Sequence, residues 1–294
     1  MVLAGSVLWG LSGTAAQVLF AHDGISPLWL VNVRMGISGV LLVGLAIWRQ
    51  GISETLKVFT TLTDAARLIV FALVGLIGVQ YTYFAAIHDG NAATATLLQN
   101  LGPAILTLFL AFKRGRLPAK RQVIAVAIAF VGTFLLVTGG HLHGLQISPA
   151  ALIWGLLSAV ALAFYTIFSS RLIHTYGTAT TVGWAMTIGA LALSTMDRPW
   201  QIPEALTLSA WSLIGFVVFF GTFLAFYLYL ASIKLISPAE TSLLTSAEPL
   251  TATVVAITLL HVRLTAVSIL GGLLIVMMVV LLAIKPESTA KGRG

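Results

Sequence analysis

The sequence predicts an all-α, polytopic membrane protein with ten transmembrane helices, and three observations carry that prediction. The 294 residues are 59% hydrophobic and only 9% charged, too little charged surface for a domain whose solvent is water. Apolar runs near the 20 or so residues needed to cross a bilayer recur along the whole chain. The basic residues cluster in alternate short loops between those runs, which is how positive charge orients a membrane protein. The net charge of +7 would point a soluble protein towards nucleic acid, but here it is a topology signal. With no cysteine, disulfides, thiol nucleophiles and thiolate metal sites are excluded.

The runs fall at about 2–20, 27–48, 67–88, 92–112, 122–139, 150–172, 180–196, 208–232, 238–260 and 265–284. The first starts at Val2 with no Lys or Arg before it, so a cleavable signal peptide is not expected. Between the second and third, Ile52, Leu56, Phe59 and Leu62 at helical spacing suggest an amphipathic interfacial helix or a solvated connector. The seventh run is short. With the N-terminus inside, the inner segments hold Arg49, Lys57, Arg67, Lys113, Arg114, Arg116, Lys120, Arg121, Arg171, Lys234, Lys285, Lys291 and Arg293. Those are 13 of the 16 basic residues. Both termini are therefore expected in the cytoplasm. Trp29, Trp48, Trp200 and Trp211 lie near helix ends, as interfacial anchors do.

The two halves match. Trp9-Gly10-Leu11 recurs as Trp154-Gly155-Leu156, and GLIGVQYTYFAA (75–86) aligns with GTFLAFYLYLAS (221–232). That alignment pairs Gly75 with Gly221, Tyr81 with Tyr227 and Tyr83 with Tyr229. ATATLLQNLGP (93–103) aligns with AETSLLTSAEP (239–249), pairing Leu97-Leu98 with Leu243-Leu244 and Pro103 with Pro249. Five helices per copy is an odd number, so the second copy enters the membrane inverted. The expected units are residues 1–140 and 145–285, followed by a cytoplasmic tail, 286–294. Inverted repeats characterise secondary transporters, with the substrate site near mid-membrane where the repeats meet.

On these residues the chain resembles the drug/metabolite transporter superfamily, in its ten-helix branch with two EamA-type repeats. The carrying features are WGLSGTAA (9–16), Arg34, and LLQNLGPAILTLFLAF (97–112) followed by Arg116-Leu117. The second copy has LLTSAEPLTATVVAITLL (243–260) followed by Arg263-Leu264. That family usually carries a Glu just before the Arg-Leu. Gly115 and Val262 stand there instead, so no role is transferred from it. Within the superfamily the chain is most similar to exporters of amino acids, particularly aromatic ones. The resemblance implies a multi-pass protein of the bacterial inner membrane.

Glu248 sits about nine residues, or roughly 13 Å, into its helix, where a charge costs about 2.5–3.5 kcal/mol and should face protein or water. It either ties helices together or handles a substrate or proton. Pro249 frees the carbonyl of Thr245, and Pro103 that of Gln99, so both helices are expected to be weakened there and to serve as hinges. Thr241, Thr245 and Glu248 share one face, while Thr96, Gln99, Asn100 and Pro103 cluster on the matching helix. Arg34, some seven residues from the outer end of its helix, is a buried charge. It either pairs with a substrate carboxylate, or bonds helix carbonyls or snorkels towards the headgroups.

The expected substrate-binding set is Trp9, Tyr81, Gln99, Asn100, Trp154, Tyr165, Tyr227, Ser246 and Glu248. Alternating tyrosines face different sides of a helix, and Tyr81 and Tyr227 are expected to line the cavity rather than Tyr83 and Tyr229. Aromatic walls suit aromatic solutes, since offset or edge-on ring pairs add about 0.5–1.5 kcal/mol beyond burial.

No catalytic residue, metal or cofactor is expected. Gly10-Leu11-Ser12-Gly13 spells a hydrolase-like GxSG, yet every His falls at or beyond a helix end while Ser12 is mid-helix, so the nucleophile would have no base. No phosphate-binding loop is present, which excludes ATP drive from within this chain. What remains is a secondary carrier, and the resemblance implies export of small neutral metabolites, aromatic and other apolar amino acids foremost, by a monomer or homodimer working by alternating access. The runner-up is proton-coupled efflux of cationic drugs. A membrane scaffold without transport is the reading from another class.

Overall fold

In the computed structural model, residues 1–283 are described except 114, 116, 142–144, 203–205, 234, 236 and 237, and except the side chains of residues 230, 233, 238, 239, 242 and 243. Arg114, Arg116, Lys234, Lys285, Lys291 and Arg293 of the basic set, His143, and the tail 286–294 lie outside the described residues.

Ten apolar helical spans follow one another, with no strand among the described residues. They are α1 (Val2–His22), α2 (Pro27–Gln50), α3 (Leu62–His88), α4 (Ala92–Lys113), α5 (Lys120–Thr138), α6 (Pro149–Tyr176), α7 (Thr178–Leu193), α8 (Leu208–Tyr229, continuing to Ile233), α9 (Pro238–Thr245 and Ala247–Thr258) and α10 (Ala266–Ala283). Local chemistry sets their starts. Ser26 and Ser148 accept hydrogen bonds from the amides of Trp29 and Ala151, each with proline at the next position. Asn91 and Thr207 cap α4 and α8 in the same way. Side-chain oxygens at these positions satisfy amides that the helix leaves free. Gly177, at φ 79°, turns α6 into α7 in a single residue.

Two helices are broken within the membrane. Asn100 and Leu101 interrupt α4, and Ser246 interrupts α9, each a few residues before the expected proline. Two others carry a π-helical stretch, Phe71–Leu76 in α3 and Phe216–Leu224 in α8. These stretches hold Gly75 and Gly221, the matched glycines of the two halves. The expected third span began at residue 67, but the helix starts at Leu62. The segment before it is a short helix, Ile52–Leu56, and one 3-10 turn, Lys57–Phe59. Val58 is buried, whereas Ile52, Leu56, Phe59 and Leu62 are exposed.

Small residues set the helix contacts. Between helices in lipid there is little hydrophobic drive, so close backbone approach through glycine carries much of the packing. The largest contacts are α2 with α7, α5 with α10, and α3 with α6; α1 packs on α9 and α8, and α6 also on α4. Gly271 of α10 faces the Gly132 carbonyl of α5, and Gly272 faces Leu97. The Gly271-Gly272 pair therefore packs inside the protomer. Of the four tryptophans expected as interfacial anchors, Trp48, Trp200 and Trp211 are exposed, but Trp29 is buried against the core of α1, α2, α3 and α7. At the other end of α3, Asp64 accepts a hydrogen bond from Tyr176 (2.8 Å) and pairs with Arg171 (3.4 Å), tying α3 to the end of α6.

Candidate functional site

A cavity of about 680 Å³ lies where α1, α3, α4, α6, α8 and α9 converge. Its size falls within the usual range for small-molecule sites, about 300–1,000 Å³. Residues before and after both helix breaks reach it, so irregular backbone at membrane depth lines a cavity and does not face lipid.

Each wall has a sequence reason. On α1, Gly10 lets α9 approach so closely that a Cβ there would stand 2.7 Å from the Glu248 carbonyl oxygen. A Cβ on Gly13 would stand 2.6 Å from the Tyr83 hydroxyl. The GxSG sequence is thus a packing device that brings Glu248 and Tyr83 to the cavity. Ser12 lines the cavity too, and its buried hydroxyl has no partner among the described residues. On α3 the wall is Leu76, Val79, Gln80 and Tyr83, a stripe at helical spacing. Tyr83 hydrogen-bonds Thr96 at 2.8 Å, which fixes its ring against the start of α4.

Two aromatic groups face the space. Trp9 meets Phe226 edge-on at 5.2 Å and Tyr229 at 5.4 Å, while Tyr165 leans on Phe71 at 5.0 Å. The polar positions are Gln99, whose amide donates to Ser158 (2.7 Å), and Asn100, whose amide donates to the Thr96 carbonyl (2.8 Å). Thr241 and Thr245 join them from the first half of α9.

A basic and an acidic side chain, Arg34 and Glu248, line the same cavity. Arg34 is 5% exposed, so it neither snorkels nor reaches a headgroup. Its Nε donates to the Thr222 hydroxyl (3.0 Å), and its guanidinium lies 4.5 Å from the centre of the Phe84 ring. Thr222 in turn donates to the Val217 carbonyl five residues back, inside the π-helical stretch. Glu248, in the first turn after the α9 break, is half-buried. Among the described residues, no ion pair within 4 Å joins Glu248 to Arg34.

Of the expected residues, Trp9, Gln99, Asn100, Tyr165, Glu248, Pro103 and Arg34 line the cavity. Tyr81, Trp154, Tyr227 and Ser246 do not, and neither does Pro249. Tyr81 packs edge-on against Trp154 at 5.6 Å in the α3–α6 contact. Tyr227 faces away, with the Arg49 guanidinium 5.1 Å from its ring centre. Ser246 and Pro249 are buried at the α9 break and just after it. The tyrosine choice was inverted: Tyr83 and Tyr229 are the wall residues. A residue two positions along a helix is turned by about 200°, so the stripe containing Gln80 and Tyr83 excludes Tyr81. The polar Gln80 in phase with Tyr83 was the available signal. On α8 the same logic selects Phe226 with Tyr229.

The hydroxyl of Tyr83 gives a direct check. Tyr83→Phe removes the hydrogen bond to Thr96 that holds the ring in the wall, worth about 0.5–1.5 kcal/mol of stability, and should weaken solute affinity as the wall loses its fixed shape. Tyr81→Phe should leave it unchanged. Concentration dependence of flux through both variants compares them, and equal effects would contradict the assigned wall.

A sequence profile of the EamA-like transporter family matches residues 1–138 and again residues 149–284. The chain belongs to the EamA-like transporter family. This EamA-like chain is a multi-pass membrane transporter. It is 38% identical over 293 residues to a Salmonella typhimurium protein described as "Uncharacterized inner membrane transporter YicL", covering 99% of this chain and 96% of the relative. It is 24% identical over 255 residues to the Bacillus subtilis "Uncharacterized transporter YyaM" (85% and 81% covered). It is 25% identical over 238 residues to the Escherichia coli "Uncharacterized inner membrane transporter YedA" (79% and 73% covered). A solved structure described as "Crystal structure of protein" shares the fold, with a TM-score of 0.59 at 20% identity over 94% of this chain and 95% of the other.

Proposed function

We propose that this EamA-like protein is a secondary transporter of the bacterial inner membrane that exports small neutral metabolites, aromatic and other apolar amino acids first. The observation that carries the proposal is the cavity itself: aromatic rings on two sides, a few fixed polar groups, and two broken helices in its wall. Discontinuous helices around a mid-membrane site are the recurring construction of secondary carriers.

Alternating access through two inverted five-helix repeats, 1–140 and 145–285, fits the packing. Exchanging the first five helices with the last five turns the α1–α9 contact into α6–α4, and α1–α8 into α6–α3, while α2–α7 and α5–α10 map onto themselves. The repeated family match and the paired π-helical stretches support the same symmetry. Rocking of one repeat on the other would hinge at the α4 and α9 breaks, with both termini cytoplasmic.

The test is flux into liposomes holding the purified protein, using labelled tryptophan, phenylalanine, threonine, lysine and a cationic dye without an imposed gradient. Saturable tryptophan and phenylalanine flux above that of lysine and dye is expected. Dye flux alone would replace the reading with cation efflux. No flux for any solute class from folded protein would favour a scaffold.

A further inference from the structure

We infer that Arg34 and Glu248 are the two poles of a zwitterion subsite, with Arg34 holding the carboxylate of an α-amino acid and Glu248 its ammonium. The inference rests on the amino-acid reading above and assigns the residues that would recognise the head group common to all such solutes.

The geometry of Arg34 is that of a held, forked donor. Its Nε is occupied by Thr222, and four residues along α2, Ser38 donates to the Val218 carbonyl at 2.9 Å. Arg34 and Ser38 thus grip the same π-helical stretch of α8. Phe84 supports the guanidinium from one side. Anchored at Nε, the guanidinium presents its two terminal nitrogens, the pair that meets a carboxylate in parallel. Its side chain reaches the cavity from α2, otherwise absent from the wall.

Glu248 reaches the cavity from the first turn after the α9 break. Arg34 and Glu248 line one cavity but make no ion pair within 4 Å. A solute carrying one charge would satisfy one pole and leave the other desolvated and unmatched, whereas a zwitterion satisfies both. Unmatched buried charges are what make such sites selective. Trp9, Tyr229 and Tyr165 then accept the side chain of the solute, which makes apolar and aromatic amino acids the best occupants.

The test edits the head group of the solute in the wild-type protein before touching the protein. Uptake of labelled tryptophan into proteoliposomes is competed with tryptophan, with tryptamine, which lacks the carboxylate, and with indole-3-propionate, which lacks the ammonium. Each analogue should compete at least about tenfold more weakly than tryptophan. Arg34→Gln should erase the difference between tryptophan and tryptamine, and Glu248→Gln that between tryptophan and indole-3-propionate. Thermal unfolding confirms that each variant is folded, and where one is not, the wild-type comparison decides alone. Tryptophan flux with both analogues competing equally well would overturn the zwitterion subsite and leave amino-acid transport standing. So would variants that weaken all three solutes alike. Absence of tryptophan flux in the wild type would overturn the amino-acid reading itself.

Discussion

Gly10→Leu should abolish tryptophan flux and lower the unfolding temperature by several degrees. A Cβ at this position would stand 2.7 Å from the Glu248 carbonyl oxygen, 2.9 Å from the Thr251 Cβ and 3.0 Å from the Ala252 amide nitrogen. Two of those three neighbours are backbone, so α9 cannot yield by a rotamer change and must move as a whole. Overpacking of a close contact costs about 1–3 kcal/mol. Here the displaced element also carries Glu248, Thr241 and Thr245 of the cavity wall. Function should therefore fall further than stability does, with Gly10→Ala intermediate. Unfolding of detergent-purified protein alongside proteoliposome flux measures both. Unchanged flux and unfolding temperature in Gly10→Leu would mean that α1 does not press on α9 at this point.

Gly271→Leu should cost at least as much stability, with a different functional signature. Its Cβ would lie 2.5 Å from both the Gly132 carbonyl oxygen and the Leu136 amide nitrogen, so α10 must leave α5. The α5–α10 contact is one of the most extensive in the molecule, and of α10 only Val279 reaches the cavity. A large drop in folded yield and unfolding temperature is expected, with the KM of the surviving carrier close to that of the wild type. A changed KM at normal stability would place α10 in the site. Unaltered stability would remove the α5–α10 glycine contact from the account, and an altered oligomeric state would return Gly271 to the protomer surface.

Much of the fold was legible because lipid imposes one rule: each crossing must be apolar and helical. That rule fixed ten spans from hydropathy, including the short seventh, which is the 16-residue helix Thr178–Leu193. The matched halves pointed to Pro103 and Pro249 as weak points, and the breaks lie just before them. What hydropathy cannot supply is rotational phase, because lipid-facing and protein-facing positions of such helices are equally apolar. Tyr81 and Tyr227 were therefore assigned to the cavity in place of Tyr83 and Tyr229, and Trp154, which packs against Tyr81, followed them. The π-helical stretches of α3 and α8 add an extra residue per wide turn, which breaks simple counting along the helix. Arg34 was legible as a buried charge, but its partner Thr222 lies 188 residues away and no local pattern announces it. Trp29 misled for a similar reason. A helix end marks depth in the membrane, not whether lipid or protein surrounds the residue.

The chain contains no cysteine, so single cysteines can be introduced without further change, and this allows the central claim to be tested directly. That claim is that the cavity walled by Trp9, Asn100, Tyr165, Tyr229 and Glu248 is where the amino acid sits. Asn100→Cys and Thr166→Cys place a thiol on the wall, while Tyr81→Cys and Trp154→Cys place one outside it. The rate of labelling by a small water-soluble thiol reagent is measured with and without saturating tryptophan. Tryptophan should slow labelling at residues 100 and 166 severalfold and leave residues 81 and 154 unaffected. Equal rates with and without tryptophan at both wall positions, in protein shown to carry tryptophan, would contradict the account and place the substrate elsewhere.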